Sequence, residues 1–166
     1  MNVPTNTNIS HIDIKVNSSN RACKIKPFCV LHFKHMKIIL AFLASGLTFT
    51  ALDYIWLGQI MKGFYLEKLA SHIEVKDGSL VVNLPAAIVF YVLALFSVYY
   101  FVIRNVGDIK SAAISGAILG LLMYAFYDFT NLATLKDWSL GLSIVDTLWG
   151  GVLMSVVSVV MFYVLS

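Results

Sequence analysis

The sequence predicts an all-α integral membrane protein: a four-helix bundle preceded by a disordered N-terminal tail. Three observations carry this. The 166 residues are 59% hydrophobic and only 13% charged, where ordinary soluble domains carry about 25% charged residues. Mean hydropathy is +0.82. The apolar residues gather in four runs, at about 38–60, 84–103, 112–135 and 142–165. Each is long enough to cross a hydrocarbon core of ~30 Å.

Residues 1–35 form the tail. They are Asn- and Ser-rich, then basic, with no helical or strand period, the composition of a disordered segment. They hold Lys15, Arg21, Lys24, Lys26 and Lys34 against a single Asp13, so the net charge of +3 comes from here. The remainder gives no support to nucleic-acid binding. Cys23, Cys29, His32 and His35 stand in C-x5-C-x2-H-x2-H order, which matches no usual zinc framework. Met36-Lys37 directly before an apolar run resembles a natural protein start, which makes residues 1–35 read as an upstream extension. That run continues to Leu57, past any signal-peptide length, so an uncleaved span is expected.

The first span lies between Lys37 and Lys62 and carries Thr50, Asp53 and Trp56. A polar connection follows, in which Phe64–Ile73 suits a short interfacial helix and Lys76-Asp77-Gly78 a turn. Pro85 opens the second span at a position that tolerates it. This span has no charge, and Tyr99 and Tyr100 suit an interfacial belt. It is expected to face lipid more than the others do. Short turns at Arg104–Lys110 and Lys136–Gly141 bound the third span, and Asp146 and Trp149 lie early in the fourth.

The third span ends in the richest polar stretch of the chain, Tyr124-Ala-Phe-Tyr127-Asp128-Phe-Thr130-Asn131-Leu-Ala-Thr134. On a helix, Tyr124, Tyr127, Asp128, Asn131 and Thr134 fall within an arc of roughly 120°. Upstream the arc continues as Ala113, Gly116, Ala117 and Gly120, a small-residue seam of G-x-x-x-G type. Such a face belongs inside a bundle, because an ionisable group facing lipid is costly.

Spacing then brings three carboxylates to one depth. Asp53 stands nine residues before Lys62, Asp128 eight before Lys136, and Asp146 ten after Lys136. At helical rise each lies roughly 12–15 Å from the flank opposite the N-terminal side, near the midplane. The first, third and fourth helices should therefore surround a site built from Asp53, Trp56, Tyr124, Tyr127, Asp128, Asn131, Thr134, Asp146 and Trp149. No Lys, Arg or His falls within these spans to neutralise it. Such a net-acidic centre admits a proton, a hard cation or a cationic solute. No organic cofactor motif is evident: the chain has no G-x-S-x-G, H-E-x-x-H, phosphate loop or dinucleotide fingerprint. Two other readings fit the same residues. They serve a membrane enzyme, or they only bridge helices as buried hydrogen-bonding groups.

Asp53-x-x-Trp56-x-Gly58 and Asp146-x-x-Trp149-x-Gly151 echo one another on helices of opposite direction, as the remnant of an inverted repeat would. Asp53-x-x-Trp56-Leu57-Gly58, then Tyr127-Asp128-x-Thr130-Asn131-x-Ala133-Thr134-Leu135 with Trp138, then Asp146-x-x-Trp149-Gly150 resemble the signature of an uncharacterised bacterial family. That family is a domain of unknown function: small predicted membrane proteins with four spans. The resemblance covers residues 36–166. It implies the fold and the membrane but no activity, and gives slight weight to an accessory role in lipid modification. The expectation is a multi-pass protein of the bacterial inner membrane, associated with lipid and homo-oligomeric, since four short helices enclose little volume. Counting the tail, eight basic residues lie on the N-terminal side and four on the far side. That places both termini in the cytoplasm.

Overall fold

In a computed structural model of the chain, the backbone is described for residues 16–68, 75–76 and 79–166, and side chains for residues 35–68 and 81–166. The chain divides into two compact units, Met1–Lys37 and Ile38–Ser166. The bundle belongs to the second. Helix α1 runs Val16–Ile55, followed by a π-turn at Trp56–Ile60 and the short helix α2, Lys62–Lys68. A two-residue antiparallel pairing sets Val75 against Leu80 and Lys76 against Ser79. Helix α3 (Leu84–Ser97) continues through a π-turn at Val98–Val102 into a 3-10 turn at Ile103–Asn105. Helices α4 (Ile109–Thr134) and α5 (Leu140–Leu165) complete the fold. Among the described residues, four segments are long and apolar enough to cross a membrane: His35–Ile60, Leu84–Asn105, Ile109–Thr134 and Leu140–Leu165.

Helix α1 includes residues from Val16 onward, part of the stretch expected to form the tail. Residues 1–15 and His72 lie outside the described residues, as do the side chains of Cys23, Cys29 and His32.

Local chemistry sets the helix boundaries. Asn83 caps α3 by accepting from the Ala86 N–H at 3.2 Å, with Pro85 in the first turn. At the other end of this span, the Asn105 amide donates to the Tyr100 and Phe101 carbonyls at 3.3 and 3.0 Å. Asp108 caps α4, accepting from the Ser111 N–H at 2.9 Å and from its hydroxyl at 2.6 Å. Ser139 caps α5 through the Leu142 N–H at 3.3 Å. Asp137, in the turn between α4 and α5, has φ of 63°, a left-handed conformation that Asp tolerates better than most residues.

The hydroxyl of Ser111 and then its N–H hold the Asp108 carboxyl below the usual carboxylate range. A carboxyl lowered in the folded state stabilises fully above its unfolded pKa and ceases to do so as pH falls through the folded one. Asp108→Ala should therefore lower the melting temperature at pH 7. The difference from the native protein should shrink when both are melted near pH 3.

Packing follows from the small residues. Helices α4 and α5 pack against one another along much of their length. Along α4 the buried positions are Ala112, Gly116, Gly120 and Asp128, a row at multiples of four. A Cβ on Gly116 would meet the Met154 carbonyl at 2.7 Å, and one on Gly120 would meet Met154 Cβ at 2.7 Å and run into the Gly150 carbonyl. The half of the bundle nearer the N-terminal side is an apolar core. Ala41 and Phe49 of α1, Ala94, Leu95 and Val98 of the α3 span, and Leu153, Met154, Val157 and Met161 of α5 meet there. Large apolar side chains such as Leu47, Val92, Ile118, Phe126 and Val152 point outward, as a lipid-facing surface requires.

Candidate functional site

The acidic residues meet in the other half of the bundle. Asp53 is 7% exposed and receives two donors. The Trp149 indole N–H reaches Oδ1 at 3.1 Å, and the Tyr91 hydroxyl reaches Oδ2 at 3.2 Å. Asp146 accepts from the Tyr65 hydroxyl. Asp128 is fully buried. Its carboxyl lies against that of Asp146, yet neither Asp128 oxygen receives a donor from the protein. The Tyr124 ring projects between α4 and α5, where a Cβ on Gly150 would run into it, and its hydroxyl feels both Asp53 and Asp146.

The two echoed motifs meet here. The Trp56 and Trp149 rings stack with centroids 4.3 Å apart and planes 2° from parallel. Their indole nitrogens serve opposite sides. Trp149 donates to the aspartate of the other motif. Trp56 lies toward Tyr65, the phenol that serves Asp146, though its own buried N–H completes no hydrogen bond. The π-turn carries Trp56, and π-turns often occur where helical geometry is bent to a functional need.

Of the nine residues anticipated from sequence, Asp53, Trp56, Tyr124, Asp128, Asp146 and Trp149 come together. Tyr127 does not: it is 61% exposed, with its ring edge-on to Trp138. Thr134 is exposed and bonds back to the Thr130 carbonyl at 2.8 Å. Asn131 is half-buried and lies outside the buried row of α4. The inward arc of α4 is narrower than 120° because α5 packs so closely on its glycine row. Only the positions in line with that row, Tyr124 and Asp128, reach the centre.

Two residues were missed, Tyr91 and Tyr65. The α3 span is not more lipid-facing than all the others, since only the α5 span is buried more. It is buried as much as the α1 span and more than the α4 span. The signal was present in the spacing. Tyr91 stands eight residues after Asn83, about 12 Å deep by helical rise, level with the three aspartates. Tyr65 left no comparable signal. It lies outside the spans, on α2, and only the fold shows it turned inward, 5% exposed. Burial, and next the Asp146 carboxylate, hold its phenol protonated well above the ordinary tyrosine range. It is therefore a hydrogen-bond donor at any physiological pH.

The donors to Asp53 are testable separately. Trp149→Phe keeps a ring beside Trp56 but leaves Asp53 Oδ1 without a partner. The expected loss is about 1–2 kcal/mol, read as a melting temperature lower by roughly 3–6 °C. Tyr91→Phe should cost less. The double variant should cost less than the sum, because both donors serve one carboxylate.

The family described as "Predicted membrane protein (DUF2177)" matches residues 38–163, a range that contains every residue of this cluster. The chain belongs to the DUF2177 family. It is a multi-pass membrane protein with four spans. No curated protein and no solved structure is similar to it. Within this DUF2177 chain, the fold thus gathers the D-x-x-W motifs of the first and last spans, and the Asp of the Y-D-x-T-N motif, into one acidic centre.

Proposed function

We propose that this DUF2177 protein binds and releases a proton at the Asp128–Asp146 pair, as part of a proton-linked solute-binding or transport unit of the bacterial inner membrane. The observation that carries the reading is the contact of two carboxyls at a place where one is fully buried and has no donor. Two ionised carboxylates are both acceptors and repel, and one proton between them turns the contact into a hydrogen bond. The alternative is a cation. Among the described residues, however, no three His, Cys, Asp or Glu side chains converge at metal-ligand spacing. The pair of contacting carboxyls suits a proton, or a monovalent organic cation exchanging with it. The tail's basic residues favour cytoplasmic termini.

Other readings gain less. A groove of about 490 Å³ on the outer face of α4, lined by Leu122, Ala125, Phe126, Phe129, Thr130 and Ala133, opens toward lipid. It contains no member of the acidic cluster, so it offers a membrane enzyme no acid or base.

Thermal melting of the detergent-purified protein, across pH and a panel of monovalent and divalent cations, tests the proposal. A proton-specific response that Asp128→Asn and Asp146→Asn abolish is expected. A flat response in the native protein, with both variants simply melting earlier, would reduce the acids to helix-bridging groups. A response to a divalent ion would replace the proton with a metal.

A further inference from the structure

We infer that α2 is a lid over the carboxyl pair, and that Tyr65 is the residue through which the pair is closed to, or opened toward, the membrane face opposite the N-terminal side. This rests on the proton reading of the same pair. Three observations lead to it, and the first is a gradient of burial. Asp128 is fully enclosed while Asp146, at the same depth, retains partial exposure, so Asp146 is the more accessible member of the pair. Asp146 is the seventh residue of α5, about 9 Å by helical rise from that helix's start.

The second is what covers Asp146. Tyr65 belongs to a seven-residue helix outside the spans, yet it is almost fully buried and donates to the Asp146 carboxylate. The groups facing the phenol are Asp146 of α5, Asp128 and Tyr124 of α4, and the Trp56 indole of the π-turn. None is cationic. Tyr65 is therefore held by a hydrogen bond to a group whose charge changes when the proton arrives. A protonated Asp146 is a weaker acceptor for that phenol than an ionised one.

The third is how α2 is attached. It follows a π-turn and Met61, whose backbone (φ −104°, ψ 5°) breaks the helix. Across the break the Met61 N–H donates to the Trp56 carbonyl at 2.8 Å and the Tyr65 N–H to the Met61 carbonyl at 3.0 Å. Gly63 has open space where a side chain would be. A short helix on such a joint can swing without disturbing the bundle. On the opposite side, by contrast, the route is filled by Phe49, Leu153, Met154, Val157 and Met161. The polar interruptions named there are the buried hydroxyls of Ser45 and Ser158, which have no hydrogen-bond partner.

The test follows the hydrogen of the protonated carboxyl. The full-length protein in lipid vesicles is mixed rapidly with deuterated buffer, and the shift of the carboxylic-acid carbonyl band is timed by infrared spectroscopy. Tyr65→Ala should speed exchange at least tenfold. Tyr65→Phe, which keeps the ring and loses the hydroxyl, should speed it several-fold while folding normally. Ser45→Ala and Ser158→Ala should leave it unchanged. Exchange that ignores both Tyr65 variants, or that slows in the serine variants, overturns the lid and leaves the proton-binding pair standing. Absence of the carbonyl band in the native protein overturns the pair, and the lid with it.

Discussion

Gly120→Leu should prevent the protein from accumulating in folded form, and Gly120→Ala should lower its melting temperature by roughly 3–10 °C, equivalent to about 1–3 kcal/mol of overpacking. The obstacle at this position is the Gly150 carbonyl, with Met154 Cβ at 2.7 Å beside it. A backbone oxygen cannot rotate away, so α5 itself must move. Displacing α5 moves Asp146 and Trp149 together, and the site opens as the bundle weakens. Glycines elsewhere provide the contrast. A Cβ on Gly46 meets only the end of the Leu95 side chain at 3.3 Å, and one on Gly63 meets nothing within 4 Å. Gly46→Ala and Gly63→Ala should therefore fall within about 0.5 kcal/mol of the native protein. Melting curves of the purified Gly120→Ala, Gly46→Ala and Gly63→Ala variants check this ordering, and the folded yield of Gly120→Leu checks the first expectation. Equal sensitivity at Gly46 and Gly120 would mean that the α4–α5 contact does not dominate.

Asp128→Asn should convert a pH-dependent stability into a flat one. With one proton held between Asp128 and Asp146, the folded state binds more protons than the unfolded chain near neutral pH. Stability then falls as pH rises, by at most about 1.4 kcal/mol per pH unit for one proton. The Asn amide supplies the missing donor permanently. At pH 6 the variant should melt close to the native protein, and at pH 9 it should melt higher. Asp128→Leu removes the repulsion as well but leaves Asp146 with Tyr65 as its donor, and should be tolerated at high pH. If Asp128→Asn instead melts lower at every pH with the slope intact, the carboxyl pair carries no shared proton.

The sequence made the architecture legible because a membrane span announces itself by length and apolar composition alone. Runs at 38–60, 84–103, 112–135 and 142–165 match the four apolar helical segments to within about three residues at each end. The site was legible where depth decided it. Asp53, Asp128 and Asp146 share a level because helical rise is fixed, whatever the packing. Rotation about the helix axis was harder to read. Tyr127 and Asn131 lie on the same broad polar face as Asp128, and only the close approach at Gly120 and Gly150 fixes which strip turns inward. Tyr91 is hidden for a different reason, since a helix without charges reads as facing lipid and a lone phenol within it reads as apolar. Tyr65 was beyond reach from sequence, because its burial depends on a bend after the π-turn that no residue pattern around Met61 specifies.

The most direct test of the account is an infrared spectrum of the native protein near pH 7, set beside Asp128→Asn and Asp146→Asn. A protonated carboxyl has a carbonyl band separate from those of carboxylates. The account predicts that band in the native protein at neutral pH and its loss in either variant. A native spectrum showing carboxylates alone at pH 7, or a band that survives both substitutions, would contradict it.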